Sequence, residues 1–184
     1  MITSPSVNGK RYAVRESIDH GLYGRVYKGH SLDDPSLTVA IKKPLLYHPD
    51  ARTTLDQRKR ALRFETFMLR RVDHENVARY HDHGTNDEDL YLVQEYVPET
   101  LKDRIRSNTV TQTVVVDFLL QIPEILALLQ EKNMIHGDLK CPNIGYTPQR
   151  LLKILDFGEA IPLPHSMQRP CLVPPEGLPH FYPP

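Results

Sequence analysis

One segment constrains the fold more than any other. Residues 113–132 (TVVVDFLLQIPEILALLQEK) are the most apolar stretch of the chain and read as a buried helix. Pro123 lies inside it and is expected to kink or break it, because proline removes a backbone hydrogen bond and clashes with the preceding turn. Such a helix needs cover, yet the sequence before it is mostly strand-like. Residues 11–18 (RYAVRESI) and 25–30 (RVYKGH) read as two strands of a hairpin around the glycine-bearing turn 20–24. Residues 37–43 (LTVAIKK) read as a third strand, and strands four and five are expected near 77–83 and 90–96. Between the third and fourth, residues 54–72 carry apolar side chains at helical spacing, with Thr54 and Gln57 positioned for a capping box.

The expected order is therefore five strands with one inserted helix, a short linker at 96–100, and then helical sequence around a polar loop. Short strands are expected at 134–136, 143–147 and 151–156. That is a two-lobed α+β plan, with an upper lobe at 11–95, a lower lobe at 101–184 and a cleft at the linker, where ligands usually bind. Eight of the 16 prolines fall in residues 162–184, so that stretch is neither helix nor central strand.

Composition narrows the function. The net charge is zero, with 23 basic and 23 acidic residues, which argues against bulk-charge binding to nucleic acid or an anionic membrane. The N-terminus lacks a basic start followed by an apolar run, and the longest purely apolar run, 125–129, is too short to cross a bilayer. Cys141 and Cys171 have no CxxC spacing and read as reduced thiols of a cytoplasmic protein.

Four places carry candidate chemistry. Gly21 and Gly24 at the hairpin tip let backbone N–H groups approach phosphate, and Val26 on the returning strand is placed to cover a flat base. Lys42 ends the strand sequence Val39-Ala40-Ile41, within reach of bound phosphates, and Glu65 on the helix is a carboxylate able to hold it. Residues 135–144 (IHGDLKCPNI) pack a carboxylate, a lysine and a carboxamide into six positions. There Asp138 is suited to accept a proton, Lys140 to neutralise a transferring phosphoryl group, and Asn143 to bind a hard cation. Thirteen residues after Asn143, Asp156 opens Asp156-Phe157-Gly158 and supplies a second oxygen ligand.

In this order the set resembles the signature of the eukaryotic-type protein kinases: glycine loop, VAIK lysine, helix glutamate, catalytic loop and DFG. Pro174-Pro175-Glu176 stands where the family has APE, and Gln94 at the gatekeeper position. The resemblance, running from about 11 to 178, implies a bilobal kinase fold using ATP and Mg²⁺. It implies that Gly21, Gly24 and Val26 cover ATP, that Ile18, Val26 and Ala40 lie above adenine, and that Glu95 and Val97 offer it hinge backbone groups. Lys42, tethered by Glu65, would hold the phosphates. Asp138 would be the catalytic base, Lys140 would meet the γ-phosphate, and Asn143 and Asp156 would hold Mg²⁺. Lys140, two residues after Asp138, resembles serine/threonine kinases, with a protein as substrate.

The sequence also departs from the family. Asp19 replaces the first loop glycine and Gly137 the arginine of HRD. Ser166 is the one hydroxyl residue between Asp156 and Glu176, so activity is expected not to depend on phosphorylation there. Gly145 stands where the family puts an apolar residue under adenine, which suggests a roomier floor. Arg169 replaces the threonine that braces the catalytic aspartate. The chain stops eight residues after Glu176, so the apolar face of helix 113–132 is expected to lack cover and to attract a partner. Two alternatives stay open: a pseudokinase or nucleotide-binding scaffold, and a small-molecule phosphotransferase, whose catalytic loop also reads HGD.

Overall fold

The computed structural model describes residues 6–21, 24–46, 53–84, 86 and 89–164. Leu22, Tyr23, Ser166, Arg169, Cys171 and Pro174-Pro175-Glu176 lie outside them.

The first five strands are β1 (Tyr12–His20), β2 (Gly24–Ser31), β3 (Thr38–Pro44), β4 (Tyr80–His83) and β5 (Leu92–Glu95). They form one antiparallel sheet in the order β1-β2-β3-β5-β4. β4 starts three residues later than its sequence suggests, because Val77 bridges instead to Ile154 in the lower lobe. The inserted helix α1 spans Leu55–Leu69, and its N-terminus carries the expected reciprocal cap between Thr54 and Gln57.

One face of the sheet buries Tyr12, Val39, Ile41, Tyr91 and Val93. Asp82 is fully buried beside them, accepting hydrogen bonds from the Tyr12 hydroxyl at 3.2 Å and the His83 N–H at 2.9 Å. The larger core runs through both lobes. It takes Leu62, Met68 and Leu69 from α1, Leu92 from β5, and Ile125, Leu129, Met134, Ile154 and Phe157 from below. The turn after α1 continues the join: Ala78 N–H donates to the Ile154 carbonyl, and Ile154 N–H to the Asn76 carbonyl.

The lower lobe begins with a short helix that sequence periodicity missed, α2 (Leu101–Arg106), capped by Thr100 and Asp103. The long helix α3 (Gln112–Glu131) follows, then β6 (Met134–Ile135), β7 (Ile144–Tyr146), β8 (Leu152–Ile154) and β9 (Ile161–Pro162). β6 pairs with β9 and β7 with β8.

Two expectations for the apolar helix need correction. α3 runs unbroken through Pro123. Proline cannot bond to the carbonyl four residues back, that of Leu119, but Leu119 is 61% exposed, so water can reach the lost acceptor. Nor is the helix buried all round. Val114, Asp117, Ile125 and Leu129 are buried, while Val115, Val116, Leu119, Leu120 and Leu126 face outward. Asp117 is anchored by Arg150, whose Nη2 donates at 2.7 Å, and by the Tyr146 hydroxyl.

This one-sided burial sets a test in the melting of the 184-residue chain. Ile125→Ala, at a fully buried site, is expected to cost ~2–5 kcal/mol. Leu120→Ala, at 66% exposure, is expected to stay within ~0.5 kcal/mol. Equal losses would mean that something covers the outward face in solution.

Candidate active site at the interlobe cleft

Three elements meet at Lys42. It sits on β3, with its side chain on the same sheet face as Val26, its cross-strand partner on β2. Its ammonium lies 2.7 Å from Glu65 Oε2 on α1 and 3.1 Å from Asp156 Oδ1 in the loop after β8. Glu65 belongs to the buried stripe of α1 with Leu62, Met68 and Leu69, which is why the helix turns that carboxylate inward. Burial alone would lower the Lys42 pKa, but the two carboxylates outweigh it and hold the ammonium charged, above its ordinary value. Burial pushes the Asp156 carboxyl up, and Lys42 together with the Gly158 N–H more than offsets that, so the group ends below its ordinary value. Asp156 has φ of 59°, in the left-handed region that aspartate visits more readily than most residues.

The second group hangs between β6 and β7. Asn143, in a 3-10 turn opened by Cys141 and Pro142, donates from Nδ2 to the Asp138 carbonyl at 2.9 Å and to Asp138 Oδ2 at 3.0 Å. Lys140 Nζ lies 2.7 Å from the same Oδ2. Both Nδ2 contacts go to Asp138, so Oδ1 is the atom that Asn143 can offer a cation. His136 holds the loop from behind. Its ring lies 5.1 Å from the Phe157 ring, Nε2–H donates to the Leu155 carbonyl at 2.9 Å, and Nδ1 accepts from the Asp138 N–H at 3.3 Å. Those two partners require the neutral ring.

The groups share one cavity of about 280 Å³. It is lined by Gly21, Gly24, Val26, Lys42, Glu65, Asp138, Lys140 and Asp156, with Asp19, Lys43 and Glu159 at its edges. Sequence reasoning had not assigned Lys43 or Glu159 here. Lys43 pairs with Asp89. Its volume falls just below the range of ordinary ligand pockets. Five of its lining residues are acidic and three are lysines, which suits an anion that arrives with a divalent cation.

Of the residues expected around a base, Val26 lines this cavity. Ile18 is an exposed residue within a β-bulge of β1, and Ala40 is buried on β3 opposite Gln94. Neither they nor Glu95 and Val97 line the cavity. The Glu95 N–H is committed to the Arg79 carbonyl at 2.8 Å, and its carboxylate takes Lys153 Nζ at 2.8 Å. The expected room above Gly145 is absent: a Cβ there would lie 2.5 Å from Val97 Cγ1, so the hinge valine already fills the space. Gly137 also has a steric reason. With φ of 79° it lets the Glu159 carbonyl approach so closely that any Cβ would collide with it.

The His136 contacts predict a pH response. Burial lowers the His136 pKa below its ordinary 6.5. Below that pH the unfolded chain takes up a proton that the folded ring resists, so stability is lost as pH falls from about 6.5. Burial lowers His81 and His83 as well and adds to the loss. His136→Asn is expected to flatten, without abolishing, the fall in melting temperature between about pH 6.5 and 5. An unchanged slope would show that His136 takes no part.

Comparison with known proteins agrees with this geometry. Residues 12–183 match the protein kinase domain family. "MAP3K epsilon protein kinase 1" of Arabidopsis thaliana is 31% identical over 157 residues, covering 83% of this chain and 11% of that protein. "MAP3K epsilon protein kinase 2" of the same plant is also 31% identical, over 160 residues, covering 83% of this chain and 11% of its own length. "Probable serine/threonine-protein kinase mkcE" of Dictyostelium discoideum is 30% identical over 152 residues, covering 80% and 20%. The chain thus spans about a tenth to a fifth of the length of these relatives. Matched along nearly all of its sequence, and built as a five-stranded sheet over a helical lobe, it belongs to the protein kinase domain family.

Proposed function

We propose that this chain binds Mg-ATP between its lobes and transfers the γ-phosphoryl group to serine or threonine hydroxyls of proteins. The observation that carries the reading is the convergence on one cavity of Lys42, Glu65 and Asp156 with Asp138 and Lys140, Asn143 being bonded to Asp138. The kinase names of the relatives point the same way.

The residues fit the implied ligands. Asn143 Oδ1 and the second oxygen of Asp156 are hard donors, and two such protein ligands suffice for Mg²⁺, which keeps waters and takes phosphate oxygens for the rest. The bound ion supplies neutralisation of phosphate charge. Lys42, fixed between two carboxylates, holds the non-transferring phosphates. Gly21 and Gly24 admit the chain backbone to the phosphates from above. Asp138 is aimed by Asn143 and Lys140 and takes the proton of the attacking hydroxyl. That hydroxyl oxygen bonds to the γ-phosphorus as the bridging P–O bond breaks and ADP leaves. Lys140 stabilises the charge on the transferring group.

Gly137 bears on regulation. The backbone of the catalytic loop packs directly on Glu159, and β6 pairs with β9, so the start of the activation segment is held without an arginine and a phosphorylated partner.

The first test is the melting of the chain with and without Mg-ATP. The parent is expected to gain stability, by ~2.7 kcal/mol at a hundredfold excess over Kd, and Asp156→Ala to gain little. Radiolabel transfer to a general protein substrate is expected to fall ~10²–10⁴-fold in Asp138→Ala. It is expected to persist in Ser166→Ala. Stabilisation without transfer would make the chain a nucleotide-binding pseudokinase. Transfer to small hydroxylated acceptors but not to protein would make it a small-molecule phosphotransferase.

A further inference from the structure

We propose that residues 6–8, ahead of β1, are a positioning element for the cavity: they close the upper sheet on its outer face and hold the β4–β5 connection, whose Asp89 fixes Lys43. The effect on binding rests on the reading of this cavity as a phosphate site.

β1 and β4 are the two edges of the sheet, yet the chain just before β1 lies against β4. Ser6 bridges to Gly84, Val7 N–H donates to the His83 carbonyl at 3.0 Å, and Asn8 Nδ2 donates to the His81 carbonyl at 3.2 Å. The Tyr12 hydroxyl on β1 also reaches Asp82 on β4. In a flat sheet of five strands the edges would stand ~19 Å apart, far beyond the reach of a tyrosine. The sheet therefore curls until its edges meet over the buried Val39, Ile41 and Val93.

Asp82 is where this closure is made. Its carboxylate is fully buried and accepts from the Asn8 N–H at 3.3 Å, the His83 N–H at 2.9 Å and the Tyr12 hydroxyl at 3.2 Å. A buried carboxylate held by neutral donors needs each of them, and one comes from residues 6–8. From the same edge, contact runs on to the cavity. Gly84, which Ser6 bridges, donates its N–H to the Tyr91 carbonyl at 2.9 Å. A Cβ on Gly84 would lie 2.5 Å from the Tyr91 ring and 2.8 Å from the Asp89 carbonyl oxygen, so the two ends of the connection are packed together. Asp89 pairs with Lys43, which follows Lys42 on β3 and lines the cavity. The Lys43 carbonyl oxygen in turn packs on Gly24, where a Cβ would come within 2.7 Å of it. Loosening residues 6–8 therefore loosens Lys43 and the hairpin glycine that rests on it.

The affinity of the full chain for Mg-tripolyphosphate is measured by titration calorimetry well below melting, with amide hydrogen exchange followed at 42–44. Val7→Pro deletes the N–H that bonds His83, whereas Val7→Ala keeps it and trims only an exposed side chain. Val7→Pro is expected to weaken binding ~5-fold and to speed exchange at 42–44, while Val7→Ala stays within ~2-fold of the parent. Ile125→Ala lowers stability from the lower lobe and is expected to bind as the parent does. A Val7→Pro chain that melts lower but binds normally overturns the proposal, because residues 6–8 would then only cover an edge. An equal loss of affinity in Ile125→Ala overturns it too, since lost stability alone would explain the effect. If Val7→Pro does not fold, Tyr12→Phe decides: it drops only the hydroxyl that reaches Asp82, and unchanged affinity overturns the proposal. A parent that fails to bind Mg-tripolyphosphate defeats the phosphate reading; exchange at 42–44 then decides on positioning, and equal rates in Val7→Pro and Val7→Ala overturn it.

Discussion

A single ammonium group holds the working parts in register. Lys42 comes from the upper sheet, Glu65 from the inserted helix and Asp156 from the loop that ends the lower-lobe hairpin. No two are close in sequence, and this contact ties their three elements together at the cleft. With Lys42 and Glu65 only 13% and 3% exposed, the pair has lost most of its hydration. A buried ion pair of this kind contributes little net stability. Its loss on one side leaves an uncompensated charge, which costs ~3–5 kcal/mol. It therefore acts as a geometric lock: the sheet, the helix and the loop are all held where that penalty is avoided.

The rest of the fold makes the lock possible. A common core passes from α1 through β5 to α3, β8 and Phe157, so the two lobes do not rest on the linker alone. The turn after α1 exchanges backbone hydrogen bonds with Ile154, two residues before Asp156. The helix that carries Glu65 and the strand that delivers Asp156 are thus joined again on the far side of the cleft. Asp138 and Asp156 sit on short loops, the first leading into β7 and the second leaving β8, both strands of buried residues. His136 completes the arrangement by bonding the backbone on both sides, at Leu155 and at Asp138.

Much of this was legible in the sequence, and the failures have physical causes. The five strands, the capped helix and the polar loop show in period-two and helical patterns that short-range sequence encodes directly. The Lys42–Glu65 contact was inferred because both residues belong to a known ordered set; their spacing alone would not have joined them. α2 was missed because six residues are too few for a periodic signal, though Thr100 and Asp103 mark its start as clearly as Thr54 and Gln57 mark that of α1. Proline rules overstated the damage at position 123: the helix runs on through it, and Leu119, the residue four back, is exposed. The filled floor at Gly145 could not be read at all: it depends on how far a linker valine leans toward a strand about fifty residues away.

The two glycines that replace larger family residues share a logic. A side chain at position 137 would collide with the Glu159 carbonyl, and one at 145 with Val97. In each case one segment comes down onto the backbone of another, and the glycine is what allows the approach. At 137 the approaching segment is the start of the activation segment; at 145 it is the linker. A side-chain tether can be switched, because it has rotamers and can meet or lose a charged partner. The contact at 137 is backbone to backbone and has neither freedom, whereas the one at 145 is made by the Val97 side chain. At both places the missing side chain is what lets another segment lie directly on the strand or loop: Glu159 on the loop that carries Asp138, and Val97 on β7.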